Sequence, residues 1–357
     1  MPRKLLFYTH ALVGGGAERV MARLASGFAA RGDTVTFAVD FDAPETRGLL
    51  SPDIRYEILP RGHFHATLAL AKLLRSAKPD ASLSAISVSN LKHSLAATLA
   101  FRPRRAALGH HGFSESEAEP LSRIAYLATP LLARLTGATI AVSHCLALDL
   151  ERRFFAPRPK LHVLPNPAAP EPFPAAVTAA ELASRPPRVA AIGRLVPGKD
   201  HPTLLKAFAR VKTPGATLAI LGDGPDLAPL QALAASLGVE GRVEFQGFRQ
   251  DVGPVLAGAK VLAIASRRES FGLACVEALS HGLPVVSTDC GGPAEILGDP
   301  SLGSLVPVGG ESALAHALDA ALQNPGDPAP RQLRAADFTL EKSLGAYDAL
   351  IRRLTGA

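Results

Sequence analysis

Short apolar runs alternate along this chain with longer stretches of helical periodicity. Lys4 to Tyr8, Thr34 to Val39, Tyr56 to Leu59, Ala81 to Ser87, Ala106 to Gly109 and Ala138 to Val142 are compact runs bounded by turn residues, and they predict buried strands. Between them, Ala17–Ala30, Ala66–Ala77, Leu91–Ala100 and the stretch that Ser143–His144 opens, as far as Phe155, predict helices. Leu121–Leu135 is mostly apolar with Arg123 and Arg134 near its ends. It reads as a core helix, with an interfacial helix resting on a bilayer as the second reading. The alternation breaks at Ala168–Pro187, rich in Pro and Ala and without apolar periodicity, which reads as an interdomain linker. It then resumes with strands at Arg188–Ile192, Thr217–Leu221, Val243–Phe245 and Val261–Ala265, and a further strand that Leu283–Val286 starts. Helices are predicted at His201–Arg210, up to about Leu237, and at Leu273–Leu279, which His281-Gly282 ends; the last is Leu340–Leu354. Strand, loop, helix, strand demands parallel strands joined by right-handed crossovers. The expectation is therefore an α/β protein of two parallel-sheet domains, 1–167 and 188–339, joined by the linker 168–187.

Composition narrows this picture little. The 357 residues suffice for two full cores, and Ala, Leu and Val must fill them, since aromatic residues make up 5% and Trp is absent. The net charge of +6 suits an anionic partner without choosing among nucleotide-sugar, nucleic acid and acidic lipid. With four Tyr and no Trp, a base-stacking nucleic-acid surface is poorly supported. Cys145, Cys275 and Cys290 lack metal or redox spacing and read as buried thiols of a reducing compartment. No apolar run reaches a membrane span, and the N-terminus reads as a strand rather than a signal peptide. A cytoplasmic protein is expected, at most peripheral on a membrane.

The chemistry gathers on loops that leave strands. Ser266–Ser287, SRRESFGLACVEALSHGLPVVS, sets Glu269 on a strand-to-helix loop and Glu277 inside the helix that follows. Gly272 lets backbone approach a ligand, and the helix start at Leu273 offers free N–H groups to an anion. Either Glu alone reads equally as a solvated charge. Together they are harder to dismiss, because Glu277 lies among Val276, Ala278 and Leu279, where an unpaired charge is costly. Gly193-Arg194-Leu195-Val196-Pro197-Gly198-Lys199 carries two cations on one glycine-bearing loop, which suits a leaving diphosphate. Gly14-Gly15-Gly16 opens the first helix; it is neither a dinucleotide fingerprint, since Arg19 stands where a glycine is needed, nor a P-loop. His110-His111 ends a strand where open α/β sheets bind ligands, although two solvated loop histidines would read the same. Glu295 reads as a helix-start charge rather than a ligand.

These motifs resemble the retaining glycosyltransferases of family 4 (GT4), which have the GT-B fold: E-x7-E at Glu269 and Glu277, G-R-L-x-x-x-K at Gly193–Lys199, GGGAERV at Gly14–Val20, LGDGP with V-x-F-x-G-F at Leu221–Phe248, and the exit turn at Asn166. Pro197 departs from the usual middle of the cation loop. The resemblance implies two Rossmann-like domains facing a cleft, the first on the acceptor side, with the helix 340–357 crossing back onto it. It implies a nucleotide-sugar donor, a UDP-sugar, from which a hexose or N-acetylhexosamine passes to a saccharide or lipid-linked saccharide. By the same resemblance Arg194 and Lys199 neutralise the diphosphate, Glu269 holds sugar hydroxyls and Glu277 the ribose. Phe271, Gly272 and Leu273 present backbone N–H groups, Gly15 and Gly16 lie against the donor phosphates and the acceptor, and Gly222, Phe248 and Arg249 border the base. His111, of the histidine pair, faces the donor sugar. With the cations supplied by the protein, neither a metal nor another cofactor is expected. Two other readings stay open: a nucleotide-sugar epimerase on the same fold, and a non-catalytic saccharide- or nucleotide-binding protein.

Overall fold

The computed structural model describes residues 2–11, 15–43, 47–116 and 120–356. Leu12, Val13 and Gly14 of the first glycine loop lie outside the described residues. The chain divides into two compact units, one made of Met1–Pro167 with Leu340–Ala357, the other of Ala168–Thr339.

The first unit holds strands β1 (Lys4–Thr9), β2 (Thr34–Val39), β3 (Arg55–Ile58), β4 (Ala81–Ala85), β5 (Ala106–His110), β6 (Ala138–Ala141) and β7 (Leu161–Val163). They form one parallel sheet in the order β3-β2-β1-β4-β5-β6-β7. The second unit repeats the plan with β8 (Arg188–Ile192), β9 (Thr217–Leu221), β10 (Val243–Phe245), β11 (Val261–Ile264), β12 (Val285–Thr288) and β13 (Gly303–Val306), in the order β10-β9-β8-β11-β12-β13. Strand order reverses between β1 and β4 in one sheet and between β8 and β11 in the other. Loops leaving the strands on the two sides of such a reversal diverge, and the crevice they leave is where open α/β sheets take ligands.

The final helix, Leu340–Thr355, buries Leu344, Tyr347, Leu350 and Ile351. It packs on the first helix, Gly16–Ala30, at a point where only glycine fits: a Cβ at Gly27 would lie 2.6 Å from Leu344 Cδ1. Asp33 and Asp348 both bind the Arg3 guanidinium, which fastens the helix to the start of β1.

Strand β4, Ala-Ser-Leu-Ser-Ala, is buried at every position despite its two serines. They survive because a hydrogen-bond relay satisfies them. Asn90 Nδ2 donates to Gly109 O at 2.8 Å, which leaves Asn90 Oδ1 to accept from Ser84 Oγ at 2.8 Å. Ser84 Oγ then accepts from His93 Nδ1 at 2.9 Å, and His93 Nε2 accepts from Ser82 Oγ at 2.8 Å. His93 is thus neutral and protonated on Nδ1.

Several expectations need correction. Ala168–Pro187 does not run free between the units. Leu182 is fully buried, the short helix Ala179–Ser184 carries a Thr178–Glu181 capping box, and Gln332 bonds both Val177 N and Ala175 O. The segment is part of the second unit, held by side-chain-to-backbone bonds that apolar periodicity does not encode. Leu121–Leu135 is not one core helix but two short ones, Pro120–Leu127 and Thr129–Leu135, in which Thr129-Pro130 starts the second turn stack. Their buried faces are built largely from small residues, Ser122, Ala125, Thr129 and Ala133, with Tyr126 and Leu132, while Ile124, Leu127 and Leu131 stay exposed. Cys275 and Cys290 are buried as expected, but Cys145 is only half-buried.

The His93 relay makes stability depend on pH. Burial pulls the His93 pKa from 6.5 to about 3, and burial, then the neighbouring His111, pulls His110 to about 4. Below pH 6.5 the unfolded chain binds protons that these folded histidines refuse, so stability is full above that pH and falls as pH drops towards 4. Each such histidine contributes a slope of about 1.4 kcal/mol per pH unit. Urea midpoints at pH 7.5 and pH 5.0 are expected to drop on acidification, and the drop is expected to be shallower in His93→Gln.

Candidate functional site

At the β8/β11 reversal the loops after the two strands are fastened together. Arg267 N donates to Gly198 O at 2.9 Å, and Arg267 Nε to Asp200 Oδ2 at 3.1 Å. Lys199 Nζ pairs with Glu269 Oε2, on which Ser266 Oγ also converges at 3.4 Å. The structure therefore brings two of the predicted site residues, one cation and one carboxylate, into direct contact. Both are partly accessible, at 26% and 19% of their side-chain surface, so a ligand can reach either. The third member, Arg194, is exposed and has no ion-pair partner among the described residues; its carbonyl is fixed by His201 Nε2 at 3.3 Å and Val196 N at 3.0 Å.

Glu269 is held still by the third loop, after β12. Glu269 N donates to Cys290 O at 2.8 Å and Gly292 N to Glu269 O at 2.7 Å, an isolated parallel bridge between Glu269 and Gly291. A Cβ at Gly292 would stand 2.3 Å from Phe271 O, so the glycine is what lets the two loops touch. The chain then turns at Gly272, whose φ of 101° lies in the left-handed region glycine favours, and enters the helix Leu273–Ser280. The first helical N–H groups have no acceptor within the helix; the bond of Cys275 N to Gly272 O, 3.0 Å, comes only after them. Phe271 offers a ligand its backbone alone, because its ring is buried against Phe338, centroids 5.6 Å apart. Glu277 is half-buried on the same helix, among buried Cys275, Val276, Ala278 and Leu279.

The loops after β9 and β10 adjoin this cluster. A Cβ at Gly222, φ 135°, would sit 2.0 Å from Gly193 O. The glycine is thus required by the cation loop packed against it, and not only by a ligand's approach. Gly222 N donates to Gly247 O at 2.8 Å, and the Asp223 carboxylate accepts from Phe248 N at 2.9 Å. Phe248 and Arg249 are left exposed on the far side of that turn, Phe248 at 58%. Asp200 and Asp223 escaped the sequence reading: both serve by holding a neighbouring loop, a role no spacing announces.

In the first unit His110 is the last residue of β5 and is buried against Tyr126, ring centroids 5.5 Å apart. His111, one residue beyond the strand, is half-buried with its ring packed over Gly109; a Cβ there would approach His111 Nε2 to 3.3 Å. Burial lowers the His111 pKa to about 4, so its imidazole is neutral at pH 7. Gly15 and Gly16 stand at the start of the first helix as expected. However, the chain's own Glu18 carboxylate occupies the space that Gly15 leaves, with Oε2 2.2 Å from where a Cβ would be. An external anion at that helix start would have to compete with it.

Two family models match successive parts of the chain: Glycosyltransferase Family 4 over residues 14–171 and Glycosyl transferases group 1 over residues 176–337. Among curated proteins, the chain is 39% identical over 133 residues to the lipopolysaccharide core biosynthesis glycosyltransferase LpsE of Rhizobium meliloti, covering 37% of this chain and 38% of that one. It is 34% identical over 145 residues to a diphospho-undecaprenol 4-alpha-N-acetylgalactosaminyltransferase of Campylobacter jejuni, covering 40% of each. The matched stretches thus span about two fifths of these relatives, 38% and 40%. Among solved structures, Anabaena HepE in complex with UDP-glucose superposes with a TM-score of 0.81 at 21% identity, over 98% of this chain and 99% of that one. WaaG, a glycosyltransferase involved in lipopolysaccharide biosynthesis, gives 0.72 at 18% identity, over 99% and 100%. Two parallel sheets with a reversal in each, loops fastened at the second reversal, and family models over both halves agree: the chain belongs to the GT-B glycosyltransferases of family 4.

Proposed function

We propose that the protein is a retaining glycosyltransferase that moves a hexose or N-acetylhexosamine from a UDP-sugar to a saccharide or lipid-linked saccharide in cell-surface glycan synthesis. The observation that carries this is the pairing of Lys199 with Glu269 at the β8/β11 reversal, with Arg194 exposed on the same loop as Lys199. As the donor's glycosidic bond breaks, charge grows on the diphosphate. Arg194 and Lys199, held on one loop, lower the barrier by attracting that charge more strongly in the transition state than in the ground state. The first N–H groups of the helix at Leu273, with those of Phe271 and Gly272, add dipoles of the same sign. Glu269 holds sugar hydroxyls, Glu277 the ribose, and the turn at Gly222 and Gly247–Arg249 borders the base. Neutral His111 donates a hydrogen bond to the donor sugar without adding charge. The acceptor attacks from the face the diphosphate leaves, and the departing phosphate takes its proton. With two protein cations at the diphosphate the chemistry needs no metal. The HepE complex with UDP-glucose supports UDP as the base-bearing half of the donor. The epimerase reading is favoured instead by turnover of the donor without any acceptor.

The lipid-linked acceptor draws on the two helices Pro120–Leu127 and Thr129–Leu135. They turn Ile124, Leu127 and Leu131 outwards at 55%, 75% and 60% exposure, beside Arg123 and Arg134, with no acidic residue in either helix. Such a face suits shallow contact with an anionic bilayer. No helix among the described residues is long and apolar enough to cross one.

Calorimetric titration with UDP, GDP, ADP and dTDP in EDTA is expected to show selective binding of UDP that Arg194→Ala abolishes. In turnover, Lys199→Ala and Glu269→Ala are each expected to lose on the order of a hundredfold in kcat; activity near wild type in either would remove the roles assigned here. Sedimentation with phosphatidylglycerol vesicles is expected to carry the protein down and to weaken at least about fivefold in the double variant Leu127→Asp, Leu131→Asp, whereas equal partition of the two proteins would leave the membrane contact without support.

A further inference from the structure

One residue grips the chain on both sides of Lys199. Arg267 N donates to Gly198 O at 2.9 Å and Arg267 Nε donates to Asp200 Oδ2 at 3.1 Å, so the residues before and after Lys199 are both tied to the loop that carries Glu269. The two loops are anchored unequally. Glu269 is bridged through its main chain to the loop after β12. Lys199 ends a single 3-10 turn, Pro197–Lys199, whose bonds are local: Lys199 N to Val196 O at 3.0 Å and Asp200 N to Pro197 O at 3.2 Å. Such bonds shape the turn without setting its distance from Glu269. The lysine stem lies over Gly193, where a Cβ would meet Lys199 Cδ and Cε at 3.5 Å. That stem is long and flexible, so the ammonium has many rotamers to choose from. Where the ammonium stands therefore depends on where the turn is held, and Arg267 holds it.

Asp200 fits that hold. It is 4% exposed and has φ 49°, in the left-handed region that a side chain makes costly and that glycine occupies freely. Backbone geometry alone favours glycine here, and a buried carboxylate needs a partner. Arg267 is its one ion-pair partner among the described residues. The next residue, His201, is buried, and its Nε2 donates to Arg194 O at 3.3 Å, since a carbonyl only accepts. The step Asp200-His201 thus reaches both cations of the loop, Arg194 by its carbonyl and Lys199 by way of Arg267. The Arg267 side chain is 65% exposed, and an ion pair so open to water adds little to stability. Its consequence is geometric.

We propose that Arg267 is a positioning residue for the leaving diphosphate: it acts through the bond from Nε to Asp200, which places the Lys199 ammonium, and not through its own charge. This deepens the transferase reading at the same site and rests on it for the identity of the anion, but the placing of Lys199 is testable without turnover.

The test is calorimetric titration of the full chain with inorganic pyrophosphate and, in parallel, with UDP, both in EDTA. Site binding is the part that Lys199→Ala removes. Arg267→Ala is expected to weaken site binding of pyrophosphate at least about fivefold, because the cation is no longer placed in advance. Arg267→Gln sets an amide nitrogen at the Nε position without the charge and is expected to recover most of the affinity. Asp200→Gly suits φ 49°, so its thermal midpoint is expected to hold while binding weakens as in Arg267→Ala. In the Lys199→Ala background, Arg267→Ala is expected to change the residual binding less than about twofold. Affinity in Arg267→Gln as low as in Arg267→Ala, or losses that add to that of Lys199→Ala, would mean that Arg267 meets the anion itself and would overturn the proposal. Unchanged affinity in Arg267→Ala, or a midpoint and an affinity that fall together in Asp200→Gly, would overturn it as well. UDP separates the two failures. Pyrophosphate bound at Lys199 without UDP binding sinks the UDP-sugar donor and leaves the positioning role standing. UDP binding that Arg267→Ala does not touch sinks only the positioning role, and a native chain that binds no pyrophosphate sinks both.

Discussion

Two backbone hydrogen bonds, Glu269 N to Cys290 O and Gly292 N to Glu269 O, are what the second unit's site depends on. They make a one-residue extension of the sheet beyond the ends of β11 and β12. A carboxylate on a mobile loop adopts many positions, and binding then includes the entropy of choosing one. Here the main chain at Glu269 is fixed before any ligand arrives. The cost falls on sequence rather than on free energy, because Gly292 must be glycine for Phe271 O to approach it, and Gly272 must adopt a positive φ for the helix to start where it does. The same logic joins Gly222 to the cation loop, so that Gly193, Arg194 and Lys199 are set by the β9 loop packed behind them.

Much of this was legible in the sequence, and the reasons differ by element. Strands buried on both faces read as apolar runs, so β1, β2, β8, β9 and β11 stand out. Strand β7, three half-buried residues, and β13, Gly-Ser-Leu-Val with its middle exposed, carry no such run. The helix Glu311–Gln323 shows Leu314, Leu318 and Leu322 at helical spacing and was available to be read. Strand β4 was readable in spite of its serines, but the relay through Asn90 and His93 that accommodates them was not, since it joins residues from a strand and the helix after it. Gly193–Lys199 and Glu269–Glu277 were visible as motifs because glycines, cations and carboxylates gather there on loops that leave strands. That Lys199 and Glu269 touch was hidden, because the residues lie on different loops and pairing across a parallel sheet leaves no local pattern.

The residues missed outright share one property: they act on another residue. Asp200 fastens Arg267, Asp223 holds the turn before Phe248, and Asp40 gathers Tyr8, His10 and Lys92. An aspartate at the end of a strand or at a turn is commonplace, and its partner's position is decided by tertiary structure. Sequence reasoning recovers groups whose neighbours in the chain announce them and loses groups whose neighbours lie in space.

The two lysine–carboxylate pairs show why burial, rather than contact, sets what a pair can do. Lys199 and Glu269 are partly in solvent, where an ion pair is worth roughly 1 kcal/mol or less. An arriving anion can replace Glu269 as the partner of Lys199, and hydroxyls can replace Lys199 as the partners of Glu269, at little cost. Such a pair holds both groups in place and can still yield to a ligand. Lys92 and Asp40 are buried, and removing one partner from such a pair costs about 3–5 kcal/mol, because the other charge is then stranded. No ligand of ordinary affinity can displace that contact, so it cannot be a binding pair. The same carboxylate also binds His10 Nδ1, whose side chain is 42% exposed. A pair partly in solvent and a buried pair thus stand at equivalent reversals of two similar sheets, and only the first lies where a ligand could exchange with it.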